Sequence, residues 1–142
     1  MGKQELDNLV KTRNLKVEAA SRKEFDGMVK SARRGLADAQ NESIATDSQF
    51  DLAVEAGHKL ALAALRHQGY RSENRITVFQ TLVHTLGTGP ADVQIFLKAH
   101  NERNLAAYQG RVDIDQKVLA DLIGATKRLD AAVGKLTPPS AE

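Results

Sequence analysis

Cysteine is absent from the 142 residues. Thiol catalysis, thiolate zinc sites, iron–sulfur clusters and disulfides are therefore excluded, and a reducing cytoplasm is the expected location. No run approaches the length of apolar sequence needed to span a bilayer. Met1 to Ser21 carries charges throughout and has no apolar core followed by a small-residue cleavage site. Neither a membrane span nor a secretory leader is expected. An excess of one charge sign is also missing: 20 basic and 18 acidic residues leave a net charge of +2, although the pI is about 9.0. That balance does not describe a strong nucleic-acid binder. The Walker loop, GxGxxG, GxSxG and HExxH patterns are all lacking, as are internal repeats, low-complexity tracts and any alternating strand pattern. No metal or cofactor is called for.

What is present is helical periodicity. With 42% hydrophobic and 27% charged residues, the chain reads as one soluble globular domain over residues 1–136 with a disordered tail at 137–142. The stretch with the clearest bounds is Pro90 to Gly110. Proline suits the first helical position, Asp92 the positive end of the dipole, and glycine the left-handed stop. One stripe of this helix carries Val93, Phe96, Leu97 and Ala107 together with His100, Arg103 and Asn104, and Tyr108 lies at its edge. The stripe is expected to face the core or a partner, which makes this helix the organiser of the domain. An arginine taken out of water costs several kcal/mol unless a carboxylate, carbonyl or phosphate meets it, so the partner of Arg103 is the central question.

The rest of the chain supplies further helices. Gly2 to Asn14 is a short one, and Leu15 to Ala20 a connector. Ser21-Arg22-Lys23-Glu24 reads as a capping box opening a helix to about Gln40. Thr46 or Asp47 can cap a third helix that stops near Gly69, with Asp51, Glu55, Lys59 and Arg66 on its solvated side and Glu55 set to pair with Lys59. After a turn at Tyr70 to Asn74, Ile76 to Leu86 gives a fourth helix. Asp113 or Asp115 caps a last one of about 20 residues, ending near Leu136. The expected fold is all-α: an up-down bundle of four to five main helices plus the short N-terminal helix.

Three weaker patterns deserve weighing. Glu55-Ala-Gly-His58 has the Glu-x-x-His spacing of di-iron bundles, but a single copy does not make such a site. Gly87-Thr-Gly-Pro90 between two helices permits a helix-turn-helix reading, against which Asp92 stands where phosphates would be met. Lys30 with Arg33-Arg34, and Lys127-Arg128, are expected on solvated faces. His67 and His84 have no partner at a recognisable spacing.

Arg103-Asn104-Leu-Ala-Ala-Tyr108 in a late helix, the earlier helix FDLAVEAGHKLALAALRHQGYR (Phe50 to Arg71) and the basic capped helix before it together resemble the HEPN domain family of prokaryotes, from about Ser21 to Val133. The resemblance implies a four- to five-helix bundle, commonly a homodimer. It also implies either a metal-independent endoribonuclease or the partner of a small nucleotidyltransferase in toxin–antitoxin and defence systems. In active members an Arg, often followed by Asn, precedes a His by four to six residues, and two copies build one RNA-cutting site. Carried over, Arg103 and Asn104 match, but Tyr108 stands where the histidine would be. The nearest histidine is His100, three residues upstream. The resemblance thus implies a site of Arg103, Asn104, Tyr108 and His100 acting on RNA or a nucleotide at a dimer interface. The alternative is a non-catalytic module that binds a partner protein, a nucleotidyltransferase or an antitoxin, where the missing histidine does no harm.

Overall fold

The computed structural model describes residues 2–110 and 113–141, and these form an all-α bundle. Helix α1 (Lys3–Lys11) buries Leu6, and α2 (Arg22–Ala39) buries Phe25, Val29, Ala32, Leu36 and Ala39, the stripe set by its three-and-four spacing. Ser21 Oγ accepts from the Glu24 N–H at 3.3 Å, as a capping serine should. Helix α3 (Thr46–His67) follows, then α4 (Arg75–Gln80), α5 (Leu82–Thr85), α6 (Pro90–Gln109) and α7 (Gln116–Gly134).

The register of side-chain contacts fixes the directions. Gln49 reaches Ala39, Lys59 reaches Ser31 and Arg66 reaches Glu24, so α3 runs antiparallel to α2. Arg103 meets Glu55 while Phe96 lies against Gly57, so α6 is antiparallel to α3. Asp92 at the start of α6 pairs with Arg128 in the second half of α7, and α2 meets α7 from Phe25 beside Val133 to Gln40 beside Gln116, so α7 is antiparallel to both α6 and α2. The result is the up-down order α2, α3, α6, α7. On the diagonal α3 and α7 run parallel, with Gln116 bonded to Thr46 at one end and His67 to the Thr137 carbonyl at the other.

Helix α3, rather than α6, is the organiser. Gln49, Phe50, Ala53, Val54, Ala56, Gly57, Leu60, Ala61, Ala63, Ala64, Leu65 and Arg66 are buried, so α3 is covered on nearly every side. Its alanines and glycine let neighbours approach closely: a methyl added at Gly57 would stand 3.0 Å from Phe96 Cε1. Helix α6 keeps the bounds read from the sequence, with Pro90 in its first turn and Gly110 at φ 65°, but it buries only Val93, Phe96 and Ala99. Beyond Ala99 it draws away from the core. Asn104 and Ala107, expected on the core stripe, are exposed, and Leu97 is half-buried.

Other expectations change as well. Neither Thr46 nor Asp47 caps α3; Ala45 holds that position without a side-chain bond, and Asp47 lies in the first turn. Gly69 does take a positive φ of 91° after the helix. The fourth helix is divided at Thr81, whose hydroxyl donates to the Val78 carbonyl at 2.7 Å and competes with the helical ladder. The two segments read as connector and turn contain paired extended residues: β1 (Lys16–Val17) and β2 (Tyr70–Arg71) form a two-stranded antiparallel ladder, Lys16 opposite Arg71. Alternation over two residues is too short to be seen in a sequence. Thr137 to Ala141, read as a disordered tail, meets the body twice, through His67 at Thr137 O (2.8 Å) and the Arg22 N–H at Ala141 O (2.6 Å). Among the described residues no helix is long and apolar enough to cross a membrane.

Candidate functional site

Polar side chains gather where α3, α4 and α6 meet. The floor is aromatic: Phe79 of α4 stacks on Phe96 of α6, centroids 5.3 Å apart, and both are buried. His58 of α3 sets its edge against Phe79, and His100 of α6 tilts over the same ring. This floor fixes how α4 and α6 sit on α3, and so decides which charges come together above it.

Glu55 is the centre of those charges. It accepts from Arg75 Nη1 at 2.6 Å and Nη2 at 3.3 Å, and from Arg103 Nη1 at 2.5 Å. Asp51, one turn earlier on α3, lies 3.7 Å from Arg103 Nε. Burial pushes the Glu55 carboxyl up, but the hydrogen bonds from Arg75 and Arg103 outweigh it and hold the group at about 2. Asp51 goes the other way. Burial raises it, Arg103 opposes, and Asp47 and Glu55 add to the rise.

The histidines are kept neutral. Burial first, then the Arg75 guanidinium, bring His58 down to about 4, and the same two causes with Arg103 lower His100. His58 Nε2 is buried and has no hydrogen-bond partner. Asn104 Nδ2 lies 3.3 Å from His100 Nε2, a bond that a neutral ring protonated on Nδ1 accepts.

The sequence-derived site is therefore brought together only in part. Arg103, His100 and Asn104 share the cluster, but Arg103 is satisfied within its own chain. Tyr108 stands apart: five residues carry it about 140° round the helix from Arg103, and it is 91% exposed. Arg103 and Tyr108 do not converge on one atom within a single chain.

Glu55 and Arg75 are the members that sequence reasoning missed. Glu55 was expected on the solvated side beside Lys59; instead Lys59 Nζ donates to Ser31 Oγ at 2.8 Å, freeing Glu55 for the arginines. Arg66, expected on that same side, is buried. The signal was present in the Glu55-x-x-His58 spacing, which puts the two side chains on one face, but it pointed to a metal. Glu55 is engaged by two guanidiniums, and among the described residues no group of three or more His, Asp or Glu is arranged to hold a metal ion. Comparison of the chain with protein-family models, curated proteins and solved structures returns no match.

Proposed function

We propose that this chain is a HEPN-like helical module of a toxin–antitoxin or defence system that works by binding a protein partner through the last turns of α6. The observation that carries the reading is the in-chain pairing of Arg103. A guanidinium already bonded to Glu55 and near Asp51 has its charge spent, which suits an anchor for α6 more than a phosphate clamp. The anchor leaves the outer turns carrying Asn104 and Tyr108 exposed, and a tyrosine of this exposure is the residue type that dominates binding energy once covered. A nucleotidyltransferase or antitoxin is the kind of partner the resemblance implies.

The reading predicts a nucleotidyltransferase or antitoxin reading frame beside this gene, and co-expression with its product tests it; an isolated gene counts against the reading. A complex on size-exclusion chromatography that Tyr108→Ala weakens at least about tenfold supports it; a complex indifferent to Tyr108→Ala sinks it.

A second reading, cleavage or binding of RNA by a homodimer, is favoured by one arrangement: His58 and His100 lie on the Phe79 ring beside Arg75 and Arg103, the composition of a site that moves protons near a phosphate. It predicts that the purified chain cleaves RNA, that Arg103→Ala abolishes the cleavage and that Lys59→Ala does not. Equal cleavage by both variants would end that reading.

A further inference from the structure

A groove of about 550 Å³ lies between the loop that joins α2 to α3 and the first half of α7. Its apolar lining includes Ile44, Leu119 and Ile123, and its polar lining sets the carboxamides of Gln40, Gln49 and Gln116 beside Glu42, Thr46 and Lys127. Gln49 is 94% buried by its relative exposure of 6%, and its Nε2 donates to Ala39 O at 3.0 Å. That is its one side-chain hydrogen bond among the described residues, and it leaves the carbonyl oxygen of this groove-lining residue without a donor from the chain. Gln116 closes one end by donating to Thr46 Oγ1 at 2.9 Å, and Gln40 lies toward the other.

The charges argue against an anion. Lys127 is the cation of the lining, and Glu42 balances it. Asp47 occupies the first turn of α3 and Asp115 caps α7, so both helix N-termini at this end already have their negative charge. What the lining offers is aliphatic side chains beside others that both donate and accept. A carboxamide pairs with an adenine edge through two hydrogen bonds, and a cavity of this volume lies within the range of small-molecule sites.

We propose that this groove is a binding site for an uncharged purine nucleoside of the adenine type, its base on Ile44, Leu119 and Ile123 and its edge read by Gln49 and Gln116. The site is independent of the α6 surface. The titration below uses the chain alone and no residue of α6, so its failure leaves that proposal standing.

Adenosine and adenosine 5′-monophosphate are titrated into the protein by calorimetry, with Ala120→Trp as a plug. Ala120 lines the groove and is exposed, so the larger side chain fills the groove without entering the core. The expected result is saturable adenosine binding below about 1 mM, weakened about tenfold by the plug at an unchanged Tm, with the monophosphate at least about threefold weaker because Glu42, Asp47 and Asp115 repel it. If the tryptophan variant does not fold, Gln116→Ala takes its place with an expected loss of about threefold. Absence of saturation, indifference to the folded plug or to Gln116→Ala, or a monophosphate that binds as tightly as adenosine overturns the proposal.

Discussion

Two arginines of this bundle are both held by glutamates, and they do opposite things. Arg66 of α3 has a side chain only 3% exposed and every part of its fork is used: Nε to Glu24 at 2.6 Å, Nη1 to the Glu18 carbonyl at 2.7 Å, and Nη2 to the Ala19 carbonyl at 2.7 Å. Arg71 closes the network by pairing with Glu18 and Glu24. This cluster ties the segment before α2 to the bundle and leaves nothing for a ligand. Arg103 has a side chain 33% exposed, shares Glu55 with Arg75, and sits among histidines of which one keeps a buried nitrogen unpartnered. Pairing alone therefore does not mark an arginine as structural. Complete pairing, sealed from water, does.

Removing the buried arginine should have the largest effect. Arg66→Ala removes the donor to one Glu24 oxygen and to the Glu18 and Ala19 carbonyls, while Arg71 still holds the other Glu24 oxygen, and a loss of about 2–4 kcal/mol is expected in urea unfolding at pH 7. A loss under about 1 kcal/mol would show that water replaces the guanidinium and that the contrast between the two clusters fails.

The open cluster should respond to pH instead. With His58 at about 4 when folded against an ordinary 6.5, the unfolded chain takes up a proton as pH falls below 6.5 while the folded chain does not until about 4. Stability therefore drops through that window, by about 2 kcal/mol for a group mostly out of water. His58→Leu should flatten the profile of urea midpoint against pH between those limits, and an unchanged slope would assign the acid sensitivity elsewhere.

Glu55 loses its contribution in the same direction but in a lower window. Its folded value of about 2 lies below the ordinary 4.5, so its contribution is complete above 4.5 and is lost as pH falls toward 2. Since the carboxylate is 31% exposed, solvent screening leaves about 1–2 kcal/mol. Glu55→Gln should cost that much at pH 7 and nearly nothing at pH 2, measured by thermal unfolding; an equal cost at both would mean that charge is not the source. The smallest effect on stability belongs to Tyr108→Ala. At 91% exposure its removal should change the unfolding free energy by less than about 0.5 kcal/mol, while the binding assay for α6 responds. A larger loss would mean that Tyr108 is part of the fold.

Much of the frame was legible in the sequence. The Ser21 cap, Asp115 before the last helix, Pro90 and Gly110 at the ends of α6, and the Phe25-Val29-Ala32-Leu36 stripe all express local rules, in which a residue's neighbours three or four places away decide its role. The site was legible in residue types but not in partners. Periodicity put Glu55 and Lys59 on one face and offered them to each other; the packing of α2 against α3 gave Lys59 to Ser31 and left Glu55 to α4 and α6. Thr81 likewise sits in a helical pattern, and its break appears only once its hydroxyl has chosen the Val78 carbonyl.

An all-α chain, the ends of α2, α6 and α7 and the absence of cysteine chemistry follow from the residues alone, because capping, periodicity and composition act within a few residues of one another. The central place of α3 and the pairing of Arg103 come from packing, since both depend on which helices lie side by side. The same holds for the groove beneath the loop after α2. A guanidinium takes whichever carboxylate the packing brings within about 3 Å, and that distance is set by contacts far apart in the chain.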